Sequence, residues 1–137
     1  MKTNLARLLI GIVFLVNVQC ALVFLLWPDK YAGSFELSGV PGEAMLRGLG
    51  VLFLMWNVPN AVALWNPIRY RLALWIAIAM QAIGLVGEIL IAISIPVEYI
   101  VIRSAIARFV VFDAVGLAML CLAAWLCAGG KQASDRV

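Results

Sequence analysis

The chain has 137 residues, of which 66% are hydrophobic and only 12% charged, far from the balance of a soluble domain. A net charge of +3 is too small to suggest a nucleic-acid surface, and its placement matters more than its size. The chain contains no histidine, which removes the commonest metal ligand, the usual axial ligand of membrane haem and any His-based catalytic triad.

The first seven residues, MKTNLAR, form a short positive head. Residues 8–27 are an unbroken apolar run that contains Asn17 and Gln19. The run is longer than the apolar part of a signal peptide and lacks a small-x-small cleavage site, and Gln19 before Cys20 spoils a lipoprotein signal. It reads as a retained first span. Trp27-Pro28 ends it, and residues 28–43 form the one sizeable loop, rich in turn formers. Phe35 and Leu37 are expected to dip from this loop into the membrane interface.

The second span covers about residues 43–65. It begins near Pro41, a favoured first-turn residue, with Glu43 beside the positive helix terminus. Arg47 lies near its start and Asn57-Val58-Pro59-Asn60 near its middle. Pro59 removes a backbone hydrogen bond, so a kink is expected, with a carbonyl freed near Met55. Residues 66–71 are a tight basic turn. The third span, about 72–95, carries Gln81, Gly84, Gly87 and Glu88 and is closed by Pro96. Residues 97–102 connect it to the fourth span, about 102–127, which carries Arg103, Arg108, Asp113 and Gly116. Gly129-Gly130 should stop that helix before a polar tail. Each span has the ~20 residues that a bilayer requires. The expected fold is therefore an all-α membrane protein, an antiparallel bundle of four transmembrane helices forming a single domain.

Basic residues set the orientation. Lys2, Arg7, Arg69, Arg71, Lys131 and Arg136 fall on one side, against Lys30 and Arg103 on the other. Trp27, Tyr31 and Tyr99 mark one interface; Trp65, Tyr70, Trp75 and Trp125 mark the opposite one. Both termini are thus expected in the cytoplasm, with the chain in the cell (inner) membrane.

Polar groups inside spans are expensive and must face other helices or a wet cavity. Arg47, Asn57, Asn60, Gln81, Glu88, Arg108 and Asp113 form the expected intramembrane polar cluster. Gln81, Gly84 and Glu88 follow i, i+3, i+7 and share one face, and Gly84 and Gly87 would admit a neighbouring helix. One reading is structural: Arg47 and Arg108 neutralise Glu88 and Asp113 and fix helix register. Another is a cavity that binds an amphiphile, a quinone or a lipid headgroup; a third is a proton or solute path. The indole N–H of Trp56 needs a partner, Asn60 or a ligand. Cys20, Cys121 and Cys127 read as small buried hydrophobes, the latter two on nearly opposite faces of one helix. No phosphate-binding or dinucleotide motif occurs. The expectation is no enzyme activity, no cofactor and no metal.

Three stretches carry a resemblance: Ala6-Arg7-Leu8-Leu9-Ile10-Gly11, Trp27-Pro28-Asp29-Lys30-Tyr31-Ala32 and Leu46-Arg47-Gly48-Leu49-Gly50. With the four-span layout they resemble the DoxX-like group of small bacterial membrane proteins. The resemblance implies a small four-helix membrane subunit, and some members have been associated with quinone-linked or redox membrane assemblies. It transfers no catalytic residue. The small multidrug transporters are similar in size but typically place a lone Glu in the first span, which has no acid here. The expected role is an accessory or scaffold subunit of a larger membrane assembly, its partners being the bilayer and other membrane subunits or a second copy. Amphiphile binding at the polar cluster is the alternative.

Overall fold

A computed structural model describes residues 1–128. Four helical spans are long and apolar enough to cross a membrane, and the chain is an all-α bundle of the expected class. The first, α1 (Lys2–Leu26), is followed by a short helix α2 (Asp29–Ala32) and a 3-10 turn (Gly33–Phe35). The second span is divided into α3 (Gly39–Trp56) and α4 (Val58–Trp65). The third is α5 (Arg71–Ser94) and the fourth α6 (Ile100–Ala128). Helix bounds extend beyond the expected ones mainly at the ends: the positive head is already helical, and the second span starts at Gly39. Lys131, Arg136 and the Gly129-Gly130 stop lie outside the described residues.

The bundle is inside-out relative to a soluble protein. Large apolar side chains such as Leu15, Leu52, Ile83, Ile93, Val111 and Trp125 stand exposed along its outer surface, which suits contact with lipid. Lipid tails are as apolar as these side chains, so burial alone cannot hold the helices together. Close packing of small residues must contribute. The seams fit that requirement: Ala6, Ala21, Ala63, Ala77, Ala105 and Ala123 are buried. Gly50 of α3 lies so near α1 that a Cβ there would come within 2.9 Å of the Ala21 carbonyl oxygen.

α1 packs on α3, α4 and α6, and α5 packs on α4 and α6, closing the ring. The two halves of the second span differ. α4 packs against both α1 and α5, whereas α3 makes its main packing against α1. The division comes at Asn57. Its side-chain Nδ2 donates to the Phe53 carbonyl at 2.7 Å, so the donor that reaches the break is local and goes to Phe53 rather than Met55.

Two basic residues close helix ends. Arg103 donates through Nη1 to the carbonyls of Ile95 at 2.7 Å and Ala92 at 3.2 Å, covering acceptors at the C-terminus of α5. Arg7 donates to Leu64 O at 3.1 Å, near the end of α4. Between α1 and α3, Phe24 is almost fully buried and touches Tyr31, Phe35, Phe53 and Phe109 edge-on or tilted, at centroid distances of 5.1–6.5 Å. Phe35 and Leu37 join this cluster. The loop therefore folds back over the bundle end rather than lying out in the interface.

Candidate functional site

The polar cluster is real but smaller than expected, and its arginines are elsewhere. The centre is a reciprocal contact between α5 and α6. Gln81 is 1% exposed and donates through Nε2 to Asp113 Oδ1 at 2.8 Å. Counting ~1.5 Å per residue, both lie about 20 Å from the loop ends of their helices, so their levels match. Each polar side chain stands over a glycine of the opposite helix. A Cβ on Gly84 would approach Asp113 Oδ2 to 2.7 Å, and one on Gly116 would approach Gln81 Nε2 to 2.9 Å. Gly87, expected to admit a neighbour in the same way, faces open space.

Above this contact is a cavity of about 190 Å³, lined by all four spans: Asn17 from α1; Leu49, Leu52, Phe53 and Trp56 from α3; Gln81, Gly84 and Glu88 from α5; and Asp113 from α6. It occupies the space left where α3 does not follow α4 onto α5. Glu88 lies about 9 Å from the loop end of α5, so the cavity's acids are spread over roughly 10 Å of depth. Two of its lining residues carry a buried polar atom without a partner in the protein, Asn17 Nδ2 and Glu88 Oε2. Asn17 is 2% exposed and follows Ile10 and Val13 along the buried stripe of α1, at a position where an apolar residue would pack. Leaving a buried donor or acceptor unmade costs about 1–3 kcal/mol.

The expected neutralisation by arginine is not found. Arg47 pairs with Glu43 at 3.1 Å on the outside of α3. Arg108 is exposed and reaches Ser104 Oγ at 3.4 Å. It lines a different cleft, of about 230 Å³, together with Gln19, Cys20 and Tyr31. Helix geometry explains this. Arg108 and Asp113 are five residues apart, ~140° around α6, so they cannot both face the core.

Asn57 and Asn60 are buried, as expected, but belong to the helix break rather than to the cavity. Neither amide atom of Asn60 has a partner, so it does not serve the Trp56 indole. The Trp56 ring instead packs over Gly84 on the cavity wall. Asn17 and the aromatic wall of Phe53 and Trp56 were not part of the expected site. The signal for Asn17 was present: a lone amide on the apolar stripe of the first span.

Among the described residues no group of three or more His, Cys, Asp or Glu side chains gathers at metal-binding range. Cys20 is half-buried, Cys121 exposed and Cys127 buried, all as free thiols. No family model matches the chain, and neither a curated protein nor a solved structure is similar to it.

Proposed function

We propose that this chain is a small membrane protein that binds an amphiphile inside the bilayer, in the cavity between α1, α3, α5 and α6. The observation that carries the reading is that two residues lining the cavity from different helices, Asn17 of α1 and Glu88 of α5, each hold a buried polar atom without a partner, Nδ2 and Oε2. A group that is packed for stability is normally hydrogen-bonded within the protein. Here two amides and two carboxyls line one space beside aromatic and aliphatic walls, the usual make-up of a small-molecule site. The basic residues of the 66–71 turn and the head support cytoplasmic termini, an orientation in which the cavity lies in the outer half of the membrane.

The test is native mass spectrometry after gentle detergent extraction, comparing the wild type with Leu49→Trp. Leu49 is a half-buried wall residue, so the larger ring fills the cavity from its side. The wild type should retain one small molecule per chain and Leu49→Trp none. A wild type that carries no more than the variant overturns the reading.

An accessory-subunit role is the second reading, favoured by the near absence of mass outside the spans: among residues 1–128 only residues 27–38, 66–70 and 95–99 connect them. Co-migration with larger subunits in native gels would support it. The two roles are compatible if the bound amphiphile serves the assembly.

A further inference from the structure

We infer that the amphiphile is a cation: a lipophilic amine with an oxygen close to its nitrogen. This rests on the binding reading above and specifies its chemistry. The cavity wall carries two carboxyl groups, Glu88 and Asp113, and no basic side chain. The arginines of the neighbouring spans are committed elsewhere: Arg47 to Glu43, Arg103 to the carbonyls of Ile95 and Ala92, and Arg108 to the outer face near Ser104. An acid in a low-dielectric site holds its charge only beside a cation, so an ammonium and the carboxylate it ionises stabilise one another there, with weakly screened Coulomb attraction.

The individual atoms sharpen the choice. Asp113 uses Oδ1 on Gln81, and its Oδ2 sits over Gly84 beside the Trp56 ring. Glu88 Oε2 is a buried acceptor without a donor. An ammonium N–H fits a carboxylate of Glu88 or Asp113 as a charge-assisted hydrogen bond, and the cavity also holds the aromatic side chains Phe53 and Trp56, to which a cation is attracted. Asn17 is 2% exposed, and its unpartnered Nδ2 is a donor. The Asn17 amide lines the same cavity, and a ligand hydroxyl serves an amide as donor or acceptor, which an ammonium alone cannot do. Among the described residues no three His, Cys, Asp or Glu side chains gather at metal-binding range, which favours an organic cation over a metal ion. Its volume of about 190 Å³ exceeds that of apolar cavities that take up benzene. That is room for a headgroup and the first carbons of a chain leaving between α3 and α5.

The experiment compares two probes of equal chain length, 2-amino-1-dodecanol and dodecane-1,2-diol, in phosphatidylcholine nanodiscs. Binding to empty nanodiscs is subtracted. The amine should bind saturably at one per chain, about tenfold or more tighter than the diol, the ratio expected when a charged hydrogen bond replaces a neutral one. Glu88→Gln should erase most of that preference while diol binding persists, which also shows that the variant is folded. Asn17→Leu should weaken amine and diol alike and leave their ratio standing. Equal binding of amine and diol to the wild type overturns the cation inference and leaves the amphiphile reading intact. A preference that survives Glu88→Gln in full also overturns it. Saturable binding of neither probe removes both.

Discussion

Gln81 and Asp113 face each other across α5 and α6, Nε2 to Oδ1 at 2.8 Å, and each covers the glycine one turn along the partner helix. The pattern reads Gln-x-x-Gly on α5 against Asp-x-x-Gly on the antiparallel α6. It solves two problems at once. The glycines bring the backbones close where no hydrophobic force exists between helices, and the polar pair is satisfied inside the space so created.

Truncating one partner should therefore cost more than truncating both implies. Gln81→Leu leaves Asp113 Oδ1 without its donor, an expected loss of about 1–3 kcal/mol. Asp113→Leu leaves the Gln81 amide in the same position. The double variant should lose less than the sum, by about 1 kcal/mol or more, when unfolding is followed in mixed micelles. Strict additivity would mean that the contact carries no coupling.

The glycines give a graded series. At Gly50 an added Cβ meets the Ala21 carbonyl oxygen at 2.9 Å and Leu25 Cγ at 2.8 Å. A backbone atom cannot step aside, so Gly50→Ala should destabilise by about 1–3 kcal/mol. At Gly84 the nearest atom is the end of the Asp113 side chain, which can shift at the expense of its bond to Gln81. Gly84→Ala should be milder. Gly87→Ala meets nothing within 4 Å and should gain up to ~1 kcal/mol of helix propensity. Thermal midpoints in one detergent would rank the three; equal effects at positions 50 and 87 would contradict the packing.

How much of this was legible in the sequence depends on which physical rule applied. The four spans were, because run length and apolarity suffice to find a membrane helix. Gln81, Glu88 and Asp113 line the cavity inside the bundle, where polar groups at that depth have few alternatives. The arginine partners are not legible from charge matching, because rotation about the helix decides which face each residue takes. Leu46 and Gly50 set the inward face of α3, and Arg47 lies ~100° from Leu46. It pairs with Glu43 one turn away on the exposed face of α3. The cavity itself could not be read from the sequence, because it depends on how far α3 diverges from α5.

The separation of Arg108 from Glu88 is directly testable. Because the two line different clefts, Glu88→Gln and Arg108→Gln should have additive effects on unfolding within about 0.5 kcal/mol. Arg47→Gln should cost at most about 0.5 kcal/mol, since an exposed i, i+4 pair contributes little. A coupling above ~1 kcal/mol between positions 88 and 108 would restore the ion pair that the sequence suggested.

The break at Asn57 and Pro59 links the fold to the site. Pro59 cannot donate to the helix ladder, and the chain divides there into α3 and α4. α4 stays on α5, while α3 turns toward α1 and leaves the cavity beside Glu88 and Trp56. Replacing the proline by alanine restores a donor and a good helix former in mid-span, which should leave thermal stability unchanged or raise it. A straighter second span would carry α3 along the line of α4 toward α5 and narrow the cavity. Pro59→Ala should thus lose ligand retention in native mass spectrometry, at least several-fold, without losing stability. The opposite pattern, a destabilised variant that keeps its ligand, would show that the break serves packing alone and that the cavity persists without it.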